Sequence, residues 1–234
     1  MKKQQWQYID MWAKKIRAIN YLGSKCKHCS DNNIFHLIFH HKNDDKEFSV
    51  SEIKGHRWSK IKNEIQKCDL LCENCHQELH YMKNDINENE RFRKNKSIYL
   101  EYKGSKCDRC NYNNSKASLI FHHKIPEYKS FGISRIKKTL KNVHELDEYI
   151  IEELDKCEVI CRNCHLEEHV DKELFEKYKK EIYFKVYNFK EISPKIPREK
   201  IYEMYNDGIK QKDIATHFNV SRGTISSIIK KMHQ

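Results

Sequence analysis

The sequence has no apolar run near the roughly 18 residues of a membrane-spanning helix, which argues against a membrane protein. Its first residues, Met1-Lys2-Lys3-Gln4-Gln5-Trp6, lack the apolar segment of a signal peptide. We therefore expect an intracellular, cytoplasmic protein in a compartment that keeps thiols reduced. In that setting the ten cysteines indicate metal ligands before they indicate disulfides.

Acidic residues are in deficit. The chain has 45 Lys and Arg against 34 Asp and Glu, a formal charge of +11. From Ser221 to the C-terminus there is no acidic residue at all. A basic balance is the electrostatic signature of nucleic-acid binding, although a basic protein without such a partner is the alternative.

One sequence phrase occurs twice, as KCDLLCENCHQELH over 67–80 and as KCEVICRNCHLEEH over 156–169. Each copy has a Cys-x2-Cys pair, which supplies half of the ligands of a tetrahedral zinc. A second Cys-x2-Cys pair lies upstream in both copies, so the sequence predicts two structural zinc sites. The predicted ligands are Cys26, Cys29, Cys72 and Cys75 in the first copy and Cys107, Cys110, Cys161 and Cys164 in the second. For the two remaining cysteines, Cys68 and Cys157, we favour burial in the core over a redox role or a role as a fifth ligand.

Four histidines near the cysteine pairs are also repeated in both copies. A strand-like run ends in His40-His41 in the first copy and in His122-His123 in the second. In each repeated phrase two further histidines stand four residues apart, which places them on one face of a helix. Adjacent histidines on a strand point to opposite sides or diverge at its end, so one can hold a divalent ion while the other activates water. The two clusters are His40, His41, His76 and His80, and His122, His123, His165 and His169.

This order of Cys-x2-Cys, Phe-His-His and Lys-Cys-x3-Cys-x2-Cys-His-x3-His resembles the HNH endonucleases, in particular the zinc-stapled branch common in phage genomes. The resemblance covers about 26–80 and again about 107–169. It implies a ββα-metal fold and hydrolysis of DNA to 5′-phosphate and 3′-hydroxyl ends with Mg²⁺ or another divalent cation. It also implies a phage-encoded protein acting inside the host cell.

The resemblance assigns roles to individual histidines. His41 and His123 match the general base, His40 and His122 the metal ligand on the first strand, His76 and His165 the ligand on the helix, and His80 and His169 an additional ligand of some members. One departure concerns the family's central asparagine, which braces the loop carrying the base. Lys67 and Lys156 stand in its place.

We expect an α+β fold in which two tandem ββα-metal units precede an all-α helix-turn-helix domain. The predicted domains are 1–85 (N-terminal helix and first unit), 98–190 (second unit and a following helix) and 195–234. The last boundary rests on the breaker sequence Ser193-Pro194-Lys195-Ile196-Pro197. The final domain resembles those of resolvases and phage regulators, with Ser221 as an N-cap. Its predicted DNA-contacting residues are Arg222, Thr224, Ser226 and Lys230.

The pattern outside these motifs predicts further elements. Apolar spacing indicates helices over 4–21, with a stop at Gly23, and over 171–189, while 56–67 and 144–156 look helical. Alternating apolar residues over 46–51 suit a strand or a loop. The charged segment 81–97 is expected to be a solvated helix or a linker.

The leading hypothesis is an endonuclease whose partner is double-stranded DNA. Two units in one chain allow a monomer to cut both strands, unless one copy serves only to bind DNA. The alternative is a zinc-stapled DNA-binding regulator with inactive nuclease units, which the missing asparagine and the helix-turn-helix favour. It explains less well why both copies keep every histidine. A metal-storage or redox protein would account for the cysteines alone.

Overall fold

The computed structural model describes residues 3–82, 90–188, 198–218 and 220–230. The chain is mixed α+β, with helices surrounding two small two-stranded sheets. It divides into two compact units, Met1–Tyr187 and Asn188–Gln234. The described helices include none with both the length and the apolar character needed to cross a bilayer. The expected breaker at 193–197 and residues 83–89 of the expected linker lie outside the described residues.

The first unit contains the repeat. We call 26–82 copy one and 107–169 copy two. Copy one is preceded by α1 and copy two by α4, and each copy then runs strand, helix, strand, helix. The elements are α1 (Lys3–Tyr21), β1 (Leu37–His41), α2 (Trp58–Ile65), β2 (Cys68–Cys72), α3 (Glu73–Met82), α4 (Glu90–Tyr102), β3 (Leu119–His123), α5 (Glu148–Asp155), β4 (Cys157–Cys161), α6 (Arg162–Glu168) and α7 (Lys172–Tyr187).

The helices predicted over 4–21, 56–67, 144–156 and 171–189 are confirmed as α1, α2, α5 and α7. The segment after each first strand, expected to be a strand or a loop, instead contains a short 3-10 helix, Val50–Gly55 in copy one and Ile133–Arg135 in copy two. These turns bury Val50 and Ile53 in copy one and Ile133 in copy two, which anchors them to the core.

The stop predicted at Gly23 is also confirmed. Gly23 has φ +95°, a left-handed conformation that costs a residue without a Cβ little. The Ser24 N–H then donates to the Ile19 carbonyl over 3.0 Å, which caps the end of α1.

Each sheet is an antiparallel pair that sets the positions of the histidines. His40 lies opposite Asp69 and His41 opposite Cys68. Copy two repeats the register, with His122 opposite Glu158 and His123 opposite Cys157. The second strand of each pair runs directly into the helix that carries the other two histidines of its copy.

The core of the first unit consists of several small apolar clusters, and the first and last helices of this unit contact each other. On α1 and α7 the apolar faces pack together, and Trp12 contacts Phe175 edge to face with ring centroids 4.9 Å apart. Cys68 and Cys157 are buried, as predicted, with their thiols directed at the Glu64 and Glu153 carbonyls over 3.6 and 3.5 Å.

The second unit consists of α8 (Arg198–Asn206), α9 (Gln211–His217) and α10 (Arg222–Lys230). Its core is formed by apolar residues from all three helices, including Ile201, Ile214 and Ile225. The Ser221 hydroxyl accepts a hydrogen bond from the Thr224 N–H over 3.1 Å, so the predicted N-cap of α10 is confirmed. Asn219, part of the expected turn before α10, lies outside the described residues.

Candidate metal centres and active site

Two four-cysteine sites fit two structural zinc ions. The four sulfur atoms of each predicted quartet lie within 4.8 Å of one another. A tetrahedral ion with Zn–S bonds of about 2.3 Å needs sulfur atoms about 3.8 Å apart. The measured separations are 3.6 Å for Cys29–Cys72, 3.8 Å for Cys107–Cys164 and 3.7 Å for Cys110–Cys161.

Local backbone contacts hold the Cys-x2-Cys turns, here called knuckles, in place. The Lys27 N–H donates to the Leu70 carbonyl over 2.9 Å, which ties the first knuckle of copy one to β2. Copy two has the equivalent bond from Asp108 to Val159 over 2.7 Å. A zinc ion in each quartet would join the start of a copy to its last helix, a link that adds to the small hydrophobic core of so short a unit.

In copy one the structure brings three histidines together. The candidate ligand nitrogens of His40, His76 and His80 lie within 4.8 Å of one another, and the Nε2 atoms of His76 and His80 are 3.0 Å apart. Burial lowers the pKa of His76 to about 4, assisted by the neighbouring His80 and His40. His76 is thus neutral at physiological pH, as a metal ligand must be.

Copy two places its histidines in the same order but less closely. The Nε2 atoms of His165 and His169 are 3.2 Å apart, and the rings of His122 and His165 have centroids 5.5 Å apart. Among the described residues, the candidate ligand atoms of this trio do not all lie within 4.8 Å of one another. Burial lowers the pKa of His165, with smaller contributions from His169 and His122.

The second histidine of each pair points elsewhere. His41 Nε2 lies 2.8 Å from Oε1 of Glu64, a carboxylate on α2 whose side chain is 1% exposed. His123 Nε2 lies 3.0 Å from Oε1 of Glu153, which is equally buried on α5. The two adjacent histidines therefore lie in different environments. One contacts other imidazoles and the other contacts a buried carboxylate.

These carboxylates are held ionised. Burial by itself would raise the pKa of Glu64, but hydrogen bonds from Lys67, from the backbone N–H groups of Glu47 and Phe48 and from His41 outweigh it and bring the pKa to about 2. Glu153 is brought to about 2 in the same way, with Lys156 as the strongest donor. An anionic Glu64 or Glu153 can only accept a hydrogen bond, so the Nε2 atom of the histidine that faces it carries the proton. The lone pair of that histidine then lies on Nδ1.

Neither glutamate was identified from the sequence. A signal was present, because Glu-x-x-Lys precedes the buried cysteine in both copies, at 64–67 and 153–156. On a helix such spacing is typical of a surface ion pair. Only the packing of α2 and α5 against the sheets shows that the carboxylates are buried.

Lys67 and Lys156, at the position where the resemblance implies an asparagine, contact the loops that follow His41 and His123. Lys67 Nζ donates to the Asp45 carbonyl over 3.0 Å and to carboxylate oxygens of Glu47 and Glu64 over 2.8 and 3.0 Å. In copy two, Lys156 Nζ donates to Ser130 Oγ and to Glu153. A lysine and a buried glutamate thus hold the loop that, according to the resemblance, an asparagine would brace.

Space is available beside His41. A cavity of about 440 Å³ is lined by His41 and Lys46 of copy one, by Trp12 of α1 and by His169 of copy two. His41 therefore borders open space as well as contacting Glu64.

In the second unit, the four residues expected to contact DNA lie on α10. Arg222, Thr224 and Lys230 are exposed and Ser226 is half-buried. The buried side of the same helix carries Ile225 and Ile229. The helix thus packs with one face and presents a basic and hydroxyl-bearing face to solvent.

Comparisons with protein-family models, curated proteins and solved structures gave no match for this chain.

Proposed function

We propose that the protein is a metal-dependent endonuclease of the HNH type that hydrolyses phosphodiester bonds of double-stranded DNA, leaving 5′-phosphate and 3′-hydroxyl ends. The observation that supports the proposal is a pair of adjacent histidines with different surroundings. One faces other imidazoles and the other a buried carboxylate, and both copies contain the arrangement.

The chain's own residues supply the base. Glu64 fixes the tautomer and orientation of His41, leaving Nδ1 to take a proton from water as that water attacks phosphorus. The imidazolium that forms remains hydrogen-bonded to the anionic Glu64, which stabilises its charge. Lys67 keeps Glu64 ionised and holds the neighbouring loop. His123, Glu153 and Lys156 act likewise in copy two.

The histidine clusters would hold the divalent ion. His40, His76 and His80 would be its ligands in copy one, and His122, His165 and His169 would be the corresponding ligands in copy two. When bound, such an ion supplies positive charge that stabilises the leaving 3′-oxygen. Imidazole ligands suit Zn²⁺, Ni²⁺ or Fe²⁺, whereas Mg²⁺ prefers oxygen ligands. The donor set of copy one therefore favours a transition ion over the Mg²⁺ that the resemblance implies.

DNA binding is proposed for the basic surface of the second unit. Arg222 and Thr224 lie in the first turn of α10, the part of a recognition helix that usually reaches base edges. Deleting 195–234 should abolish site preference while leaving metal-dependent cleavage of non-specific DNA. Unchanged site preference in the truncated chain would contradict a DNA-reading role.

The central experiment is cleavage of supercoiled plasmid by the zinc-loaded chain, with Mg²⁺, Mn²⁺, Ni²⁺ and Zn²⁺ added separately. We expect activity in the wild type, its loss in the His41→Ala/His123→Ala double variant, and no change in His144→Ala, which replaces an exposed histidine that belongs to neither cluster. Full activity in the purified double variant would contradict the proposal.

The same experiment separates the proposal from a regulatory role. A chain that binds DNA tightly through α10 but cuts with none of these ions would be a regulator with inactive nuclease units. The retention of His41 and His123 with their buried carboxylates favours the enzyme, because binding alone does not need those pairs.

A further inference from the structure

The two copies meet through equivalent residues. Asn74 and Asn163 occupy the same place in the Cys-x-Asn-Cys turns at the start of α3 and α6. The Asn74 N–H donates to Asn163 Oδ1 over 3.0 Å, and the Asn163 N–H donates to Asn74 Oδ1 over 3.1 Å. Each side chain satisfies an N–H group that the first turn of the other helix would leave unpaired. Both asparagines are buried.

A second pair of equivalent residues makes matching contacts. Glu167 on α6 accepts a hydrogen bond from Asn33 of copy one over 2.6 Å. Glu78, its equivalent on α3, accepts a hydrogen bond from Tyr112 of copy two. Each glutamate thus reaches the segment between the other copy's first knuckle and first strand. Reciprocal contacts between equivalent residues are the signature of a two-fold, isologous interface, not of a head-to-tail one.

We infer that copy one and copy two act as a two-fold pair that cuts the antiparallel strands of one DNA duplex at symmetry-related phosphates with a fixed stagger. The inference rests on the proposed function. Two-fold protein symmetry matches inverted half-sites, because the strands of a duplex are themselves related by two-fold axes. A head-to-tail pair would instead present both sites to the same strand. The exchanged asparagine bonds hold the two sites at one separation.

The test uses the full zinc-loaded chain and a labelled duplex that contains one preferred cleavage position, with every end mapped on both strands. We expect paired wild-type cuts with one constant stagger. His41→Ala and His123→Ala should each nick at only one of those two phosphates and make no double-strand product, while His144→Ala should behave as wild type. Variable staggers, or an unchanged double-strand break in either single variant, would overturn the inference.

A binding measurement distinguishes failure of this inference from failure of the proposed nuclease activity on which it rests. Hydroxyl-radical footprinting, with the chain loaded only with structural zinc, should show two protected backbone segments, one on each strand, symmetric about the centre between the cuts. Protection on only one side of that centre would contradict the two-fold pair, even if the protein cuts DNA. If no ion supports cleavage, the proposed nuclease activity fails, and a symmetric footprint would still support two-fold engagement of a duplex.

Discussion

Copy one and copy two share the four cysteines of each quartet and the four histidines of each cluster, yet their histidine clusters differ in closeness and surroundings. In copy one, α3 continues to Met82, so His80 lies inside the helix. In copy two, α6 ends at Glu168 and His169 lies just beyond it, where the chain turns into α7. The second trio is correspondingly looser and His169 is exposed. A duplicated motif preserves the identity of the ligands, whereas the neighbouring structure determines how closely they converge.

The electrostatic surroundings differ as well. In copy two, Arg109 pairs with both Glu158 and Glu168, and Glu158 Oε1 lies 3.5 Å from His122 Nδ1. The equivalents of Arg109 and Glu168 in copy one are His28 and Leu79, which cannot form this network. Copy two therefore holds a carboxylate paired with Arg109 beside its first candidate metal ligand, whereas the equivalent Asp69 of copy one pairs with Lys27. We expect the two sites to differ in metal affinity.

The largest expected effect comes from removing one zinc ligand in each copy. Cys75→Ser and Cys164→Ser should each lower the zinc content from two ions to one and unfold their own copy, since structural zinc contributes roughly 10–16 kcal/mol of apparent folding energy in small domains. Elemental analysis and hydrogen exchange resolved by copy would measure this.

The matched controls are Cys68→Ser and Cys157→Ser, which alter the buried cysteine outside each quartet and should leave two zinc ions bound. A metal-free chain that stays folded through disulfides would contradict the zinc assignment for both copies.

The next effect concerns the two bases. His41→Ala and His123→Ala should each slow the cutting of one strand by roughly 10²–10⁴-fold, the usual loss on removing a general base. The unmodified copy supplies the control within the same molecule. If one variant is silent and the other inactive, only one copy cuts and the other has a binding role.

Removing the carboxylates behind the bases should have a smaller effect. Glu64→Gln and Glu153→Gln leave the histidines in place but remove the charge that orients them, and loss of such a supporting group typically costs about 10–100-fold. Strand-resolved single-turnover rates should show the loss in kcat for one strand only. Equal slowing of both strands would indicate a general loss of structure.

The contact between the copies can be broken at its centre. Asn74→Ala and Asn163→Ala should each cost about 1–3 kcal/mol, the range for leaving a buried polar group without its partner. Because both belong to one exchange, the double variant should cost less than the sum. Urea unfolding would measure it, with Asn142→Ala as a control that caps only a local turn of copy two. Strict additivity would contradict coupling between the two copies.

The smallest effect sharpens the difference between the metal sites. Arg109→Ala should raise the metal affinity of copy two by a few-fold, because it frees Glu158 beside His122 and removes a positive charge. Calorimetric titration with Ni²⁺ into zinc-loaded chain should resolve a tighter site, lost in His40→Ala, and a weaker one, lost in His122→Ala. Identical affinities in the wild type would remove the distinction between the copies.

Much of this architecture could be predicted because it depends on local spacing. The helical period of apolar residues located α1 and α7, and the Cys-x2-Cys spacing identified both zinc quartets. The i, i+4 histidines indicated the clusters, since two residues four apart on a helix share a face whatever the rest of the chain does. The roles of Arg222 and the other α10 residues, like those of the histidines, remain predictions.

The amino-acid sequence by itself thus determined the ligand sets, the repeat and the local elements, because each is encoded within a few consecutive residues. The tertiary structure alone decided that the buried Glu64 and Glu153 contact His41 and His123 and that Lys67 contacts the neighbouring loop. It also decided that Asn74 and Asn163 exchange hydrogen bonds and that the second histidine trio is looser. Burial and contact between distant segments depend on how separate elements pack, and no periodicity within one element carries that information.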